Sequence, residues 1–221
     1  MAEWKSDKEL FEIMKKEIYT GVLCDMLDTI GYNHQYLPRE IQSLRATDVM
    51  AGRAYPTIIC DVYGEQENPL GKLPEAVDHI LEDEIYIVTG GDRRCSYFGE
   101  IMTATLRAHK GIGAVIDGYM RDTRQVLEQN FPVFCIGRNA QGSIYRNQVI
   151  AYRVPVEIGN IKINPGDLIF GDIDGVVVIP KQIEEKVISI TLEKVRGERD
   201  TRTAVESGMS AVEAVAKYGI F

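Results

Sequence analysis

Two segments hold residue types that could do chemistry. In Gly113-Ala114-Val115-Ile116-Asp117-Gly118-Tyr119-Met120-Arg121-Asp122, an apolar strand ends near Asp117-Gly118. Arg121 and Asp122 then fall at its carboxyl end, ahead of a helix. Ligands of α/β sheets gather at the carboxyl ends of strands. An arginine there offers a fixed cation to an anionic substrate, and an aspartate offers a hard oxygen to Mg²⁺. On spacing alone, a local ion pair at a helix start accounts for the two residues as well. The second segment runs from Gly90-Gly91 through Arg93, Arg94 and Ser96 to Gly99-Glu100, following a strand and entering a helix. The free N–H groups and the dipole of a helix start attract carboxylates or phosphates. Gly99 lets a ligand approach the backbone. Arg93 and Arg94 read either as a site for a substrate's second carboxylate or as solvated loop charges. Tyr119 reads either as site lining or as packing.

Other motifs give way on spacing. Gly111-Ile112-Gly113 precedes its strand and lacks the third glycine of a dinucleotide loop. Asp172-Ile173-Asp174-Gly175 has its glycine misplaced for a calcium loop and reads as a turn between strands. His34, His79 and His109 have no ligand-spaced partner. Ser96 and Ser143 have no visible His/Asp companions, so a serine nucleophile is unsupported. Lys72, Lys110 and Lys162 sit away from expected strand ends, which argues against a Schiff base. Cys24, Cys60, Cys95 and Cys135 lie 35 or more residues apart and read as reduced, mostly buried thiols.

The elements that position these residues follow from periodicity. Ser6-Asp7-Lys8-Glu9 is a capping box ahead of a helix burying Leu10, Phe11, Met14 and Ile18. Thr20 is placed to cap a second helix, ended by Gly31. Residues 51–61 read as a strand, 62–72 as a loop and Pro74–Leu81 as a short helix. Strands at 85–88, 114–116 and 133–136 alternate with helices running from Phe98 to Gly111 and from Asp122 to Asn130, the pattern of parallel βαβ units. Segments around 152–156 and 176–179, with the Asn164-Pro165-Gly166-Asp167 turn, read as antiparallel strands. After Pro180 comes a long helix; residues 181–221 carry seven basic and seven acidic side chains, and Ser210–Glu213 forms a second capping box. The fold class is therefore α/β: a single compact domain over residues 1–221 with a central mixed sheet. Helices over about 1–32 precede a core over about 33–180, and a helical extension over about 181–221 follows it.

The composition suits this reading: 221 residues, 45% hydrophobic and 26% charged, favour one large domain. A net charge of −8 argues against nucleic acid or an anionic membrane as partner. No apolar run nears the roughly 18 residues of a membrane helix. The opening residues lack a signal-peptide pattern, so the cytoplasm is the expected compartment.

The acidic residue Glu100, twenty intervening residues and Arg121-Asp122 resemble the signature of a known family. That RraA-like family joins 4-hydroxy-4-methyl-2-oxoglutarate aldolases to the regulator of ribonuclease activity A; its members have also been mislabelled demethylmenaquinone methyltransferases. Gly90-Gly91, Asp117-Gly118, Pro165-Gly166-Asp167 through Asp172, and Gly175–Pro180 fit as well, so the resemblance covers about residues 20–190. Glu100 is a departure, since the signature has Asp there. No glycine-rich S-adenosylmethionine loop follows an early strand, which argues against a methyltransferase.

The resemblance implies a metal site at Asp122, for Mg²⁺ or alternatively Mn²⁺ or Co²⁺. It implies substrate binding by Arg121 and by the backbone N–H groups of Gly99, Glu100, Ile101 and Met102. Arg121 and Glu100 become the catalytic pair, with Glu100 orienting a water. The implied activity is a class II carbon–carbon lyase that cleaves a 4-hydroxy-2-oxo acid to pyruvate through a stabilised enolate, and oxaloacetate decarboxylation shares that enolate. It also implies homotrimers or homohexamers with sites between subunits, and a C-terminal helix that lends an acid to a neighbour. The family offers a second role, that of a non-enzymatic protein-binding regulator of a ribonuclease or helicase; the acidic charge suits a basic partner surface.

Overall fold

The computed structural model describes residues 3–219. Met1, Ala2 and the last two residues of the expected C-terminal extension lie outside that range. In chain order the elements are α1 (Asp7–Glu17), α2 (Thr20–Thr29), β1 (Gln42–Ser43), β2 (Met50–Asp61), α3 (Leu73–Asp78), β3 (Glu84–Thr89), β4 (Ser96–Phe98) and α4 (Glu100–Ala108). They continue with β5 (Gly113–Met120), α5 (Thr123–Glu128), β6 (Val133–Arg138), β7 (Asn147–Tyr152), β8 (Val156–Ile158) and β9 (Ile161–Ile163). β10 (Leu168–Asp172), β11 (Gly175–Ile179), α6 (Glu184–Glu206) and α7 (Ala211–Tyr218) complete the chain.

One mixed sheet of order β1-β6-β5-β3-β2-β10-β11 organises the molecule, with β4 added beside β5 and β7 beside β2. The β2-β3-β5-β6 run is parallel, as the βαβ pattern requires. The β10–β11 hairpin and β7 join β2 antiparallel. The sheet curls until its ends approach: β1 lies near β11, and Tyr36 bridges to Val177. Alternation along each strand then gives an inside and an outside. Ile85, Ile87, Val115, Phe134, Ile169 and Val178 point inward and pack on the β8–β9 hairpin. Tyr86, Val88, Ala114 and Ile116 point outward, against α3, α4 and α5. Leu168, Phe170, Val177 and Ile179 face α1, α2 and α6.

The structure corrects several sequence expectations. Ser96–Phe98 is a strand, so Phe98 leaves the helix and α4 starts only at Glu100. β5 runs past Asp117-Gly118 to Met120. The expected strand around 152–156 is broken at Arg153 (φ 53°), which pairs with Glu84 at 2.6 and 2.8 Å. The first capping box is only half formed. Ser6 Oγ accepts from Glu9 N–H at 3.3 Å, but Glu9 reaches back to Lys5 N–H at 2.8 Å. The second, Ser210–Glu213, has both bonds. All four cysteines are free thiols; Cys95 and Cys135 are buried, Cys24 and Cys60 half-buried. Burial pushes the Cys135 thiol up to about 11. Among the described residues no helix is long and apolar enough to cross a membrane.

Thr20 does not cap α2 with its own side chain; Tyr19 holds the cap position. Instead Thr20 N–H and Oγ1–H both donate to the Asp172 carboxylate, at 2.8 and 2.7 Å. Asp172 also accepts from Asp174 N–H at 2.9 Å and is 8% exposed. The sequence that resembles a calcium loop thus ties the β10–β11 hairpin to the start of α2. Hydrogen bonds to a charged group contribute about 1.5–3 kcal/mol each. Asp172→Ala, which removes all three bonds, is expected to lower the unfolding free energy by at least about 3 kcal/mol in a urea titration, and Thr20→Val, which removes one, by about 1.5 kcal/mol. A loss below about 1 kcal/mol for Asp172→Ala would contradict this tie.

Candidate active site

The short strand β4 decides where the candidate residues meet. It pairs parallel with the end of β5, Ser96 with Tyr119 and Phe98 with Met120. The two chains therefore run side by side into their helices, and Arg121 N–H donates to Phe98 C=O at 2.9 Å. Gly99-Glu100 and Arg121-Asp122 leave the sheet together. Asp122 sits at the N-cap of α5 in the left-handed region (φ 55°, ψ 33°) and makes no side-chain bond to its own helix. Its Oδ2 accepts from Glu100 N–H at 3.2 Å, so it caps the neighbouring helix α4. Aspartate tolerates this backbone better than most residues, but strain of this kind concentrates at functional sites.

Two glycines make room for the pair. A Cβ on Gly99 would lie 2.6 Å from Asp122 Oδ2, and one on Gly142 would lie 2.5 Å from Arg121 Nη1. Gly99 has extended backbone (φ −164°), so it is needed for close approach and not for its dihedral. Arg121 Nε stands 3.5 Å from Asp122 Oδ2, with both side chains nearly half exposed. Such a pair adds little stability. The stability reading of Arg121-Asp122 therefore explains neither the strained Asp122 nor the two glycines.

Gly99, Glu100, Ile101, Met102, Arg121 and Asp122 all line one cleft of about 530 Å³. Of the four N–H groups expected to bind a ligand, that of Glu100 is committed to Asp122. The others remain at the positive end of the α4 dipole. The facing wall, residues 142–146, was not foreseen. Ser96 N–H and Oγ–H hold it through Gln141 C=O at 2.8 and 2.9 Å. Arg146 lies in that wall, half-buried, donating to Gly142 C=O at 3.2 Å and Ile144 C=O at 3.0 Å. The segment, Gly142-Ser143-Ile144-Tyr145-Arg146, carries no local signal that it faces the site, and it reaches the cleft through β4.

Arg93 and Arg94 do not reach the cleft. Arg93 pairs with buried Asp117, which also accepts from Thr89 Oγ1–H at 2.7 Å. Arg94 donates to Val62 C=O and Arg146 C=O and lies 4.5 Å over the Tyr63 ring. Both guanidinium groups are paired within the protein, Arg94 with the backbone of cleft-lining Arg146. Tyr119 packs beside Gly137, outside the lining. Among the described residues no lysine or histidine lines the cleft.

Among the described residues no three His, Cys, Asp or Glu side chains converge on a metal position. Asp122 offers one carboxylate whose Oδ1 takes no hydrogen bond from the described residues. That donor set does not fit a closed structural site. It fits a hard, water-rich ion such as Mg²⁺, which takes one or two carboxylates and fills its shell with water and substrate oxygen.

A family model described as RraA-like, Aldolase/RraA, matches residues 20–178. Protein DlpA of Legionella pneumophila is 28% identical over 188 residues, 85% of this chain and 27% of DlpA. A Halalkalibacterium halodurans protein, provisionally named 4-hydroxy-4-methyl-2-oxoglutarate aldolase, is 34% identical over 132 residues, 60% of this chain and 62% of its own. The chain thus spans less than two thirds of either relative. Among solved structures, an uncharacterized Pseudomonas syringae protein gives a TM-score of 0.85 at 28% identity, covering 99% of this chain and 98% of that one. One described among novel cellulases from gut-associated microbes gives 0.83 at 32% identity, covering 90% and 91%. Streptomyces coelicolor RraAS2, described as an unusual member of the RNase ES inhibitor RraA family, gives 0.78 at 23% identity, covering 90% and 98%, and bears on the fold alone.

Gly99→Ala tests this geometry. The atom that must yield is the tip of the Asp122 side chain, so the fold is expected to lose less than about 1 kcal/mol. The displaced carboxylate is expected to weaken Mn²⁺ binding at least about tenfold in a calorimetric titration. Unchanged Mn²⁺ affinity would contradict the placement of Asp122.

Proposed function

The chain belongs to the RraA-like family, and we propose that it is a divalent-metal-dependent carbon–carbon lyase acting on 4-hydroxy-2-oxo acids. 4-Hydroxy-4-methyl-2-oxoglutarate is the type substrate, and oxaloacetate decarboxylation is a second activity of the same cleft. The observation that carries this reading is Asp122, strained and held against the first turn of α4 beside Arg121, at the wall of the cleft. The provisional name of the Halalkalibacterium relative supports it.

A divalent cation held by Asp122, Mg²⁺ or alternatively Mn²⁺ or Co²⁺, supplies Lewis-acid stabilisation of negative charge. The chain's own residues do the rest. The first-turn N–H groups of α4, chiefly those of Ile101 and Met102, bind the substrate's 1-carboxylate at the positive helix end. Arg121 donates to the 2-oxo oxygen. When the C3–C4 bond breaks, its electron pair passes into an enolate, and Arg121 stabilises the charge that gathers on that oxygen. Glu100 orients the water that takes the 4-hydroxyl proton; protonation at C3 then gives pyruvate. With oxaloacetate, carbon dioxide leaves and the same enolate forms. Arg146, across the cleft, is the cation for a second carboxylate.

Ile101, Ile144 and Tyr145 are exposed beside the cleft, Ile101 to 76%. Their exposure supports assembly as homotrimers or homohexamers that cover this rim, with a neighbour's C-terminal segment supplying an acid. A second reading, a protein-binding regulator of a ribonuclease, draws support from the net charge of −8.

The lyase reading is tested by pyruvate release, coupled to lactate dehydrogenase, from 4-hydroxy-4-methyl-2-oxoglutarate and from oxaloacetate. Turnover is expected with Mg²⁺ and not with EDTA. Asp122→Ala and Arg121→Ala are each expected to lower kcat/KM at least about 100-fold. Full turnover in EDTA, or borohydride trapping of substrate on the chain, would overturn it. No release from either substrate, together with capture of a ribonuclease, would favour the regulator.

A further inference from the structure

Helix α5 is six residues long, and both of its ends reach the first residue of α4. At its start, Asp122 Oδ2 accepts from Glu100 N–H at 3.2 Å. At its end, the half-buried Gln129 donates through Nε2 to Glu100 C=O at 3.2 Å and to Glu100 Oε1 at 3.3 Å. The backbone donor, backbone acceptor and carboxylate of Glu100 are thus all engaged from one helix. The orientation of the Gln129 amide follows from its partners: both are acceptors, so the NH₂ group must face them. The cost shows on the other side, where Gln129 Oε1 is buried with no partner among the described residues. An unpaired buried amide oxygen destabilises, so packing alone would favour an apolar side chain here. What a glutamine supplies at this position is a donor aimed at Glu100.

We propose that Gln129 is a positioning residue that fixes the Glu100 carboxylate at the cleft, a proposal that rests on the lyase reading. A glutamate side chain has one more torsion than an aspartate and sweeps a larger volume when free. Gln129 removes that freedom by holding one carboxylate oxygen, leaving Oε2 to meet the reacting water in one orientation. Partner groups of this kind typically change activity by about 10–100-fold when removed.

The test is a double-mutant cycle on the full chain with 4-hydroxy-4-methyl-2-oxoglutarate and Mg²⁺. Gln129→Met keeps the length and removes the donors; Gln129→Leu is the second variant should Met fold poorly. Gln129→Met is expected to lower kcat about tenfold with KM within about twofold. In a Glu100→Ala background the same substitution is expected to change kcat less than about twofold, because the carboxylate is gone and only the backbone C=O of residue 100 is left for Gln129 to hold. Equal fractional losses in both backgrounds would overturn the proposal and leave Gln129 a packing residue. A second readout needs no activity: the Gln129 side-chain amide signals in a ¹⁵N NMR spectrum are expected to shift in Glu100→Ala. Unshifted signals would overturn the positioning contact. A wild type that releases no pyruvate while these signals shift would keep the contact and overturn the lyase reading.

Discussion

The cleft depends on one hydrogen bond, from Glu100 N–H to Asp122 Oδ2. It joins the starts of two helices that leave the same edge of the sheet. Because Asp122 caps α4 and not its own helix, it must take a left-handed backbone, and Gly99 must lack a side chain. Arg121 is then carried to the same place, with Gly142 clearing space for its guanidinium. Opposite charges at 3.5 Å and nearly half exposed hold little of the fold together. They do place a guanidinium and a carboxylate side by side at a positive helix end.

The sheet explains why this spot is fixed. Strands β2, β3, β5 and β6 run parallel and carry their functional loops at one end. Closure of the sheet around Ile85, Ile87, Val115 and Phe134 gives that end a rigid floor. β4 pairs alongside the end of β5, so the two loops leave the sheet side by side. Buried Asp117 and its partners Thr89 and Arg93 support the same end from inside. Proteins place reactive groups on rigid elements because small errors in position cost much of the rate.

Much of this was legible in the sequence. Apolar runs at β3, β5 and β6 with helical spacing between them required parallel strands, and Arg121-Asp122 fell where such sheets bind ligands. What was not legible depends on distant contacts. Ser96–Phe98 is too short to show a period, and only pairing with β5 makes it a strand. Without β4, residues 142–146 have no visible reason to face the cleft, so nothing in the sequence marks Arg146 as a site residue. Thr20 and Asp172 each fit a local motif, a cap and a turn; their bond to one another spans 152 positions and leaves no local trace. Gln129 lies seven positions beyond Asp122, two helical turns along, with nothing in its surroundings to distinguish it from a surface glutamine.

The most direct measurement is a crystal structure of the chain with Mn²⁺ and oxalate, a planar dianion shaped like the enolate of pyruvate. The expected result is an anomalous manganese peak bound by the Asp122 carboxylate. One oxalate group should lie against the Arg121 guanidinium and the N–H groups of Ile101 and Met102. Manganese and oxalate bound away from Asp122 and Arg121, or absent from crystals grown at saturating concentrations of both, would contradict the assignment of this cleft as the active site.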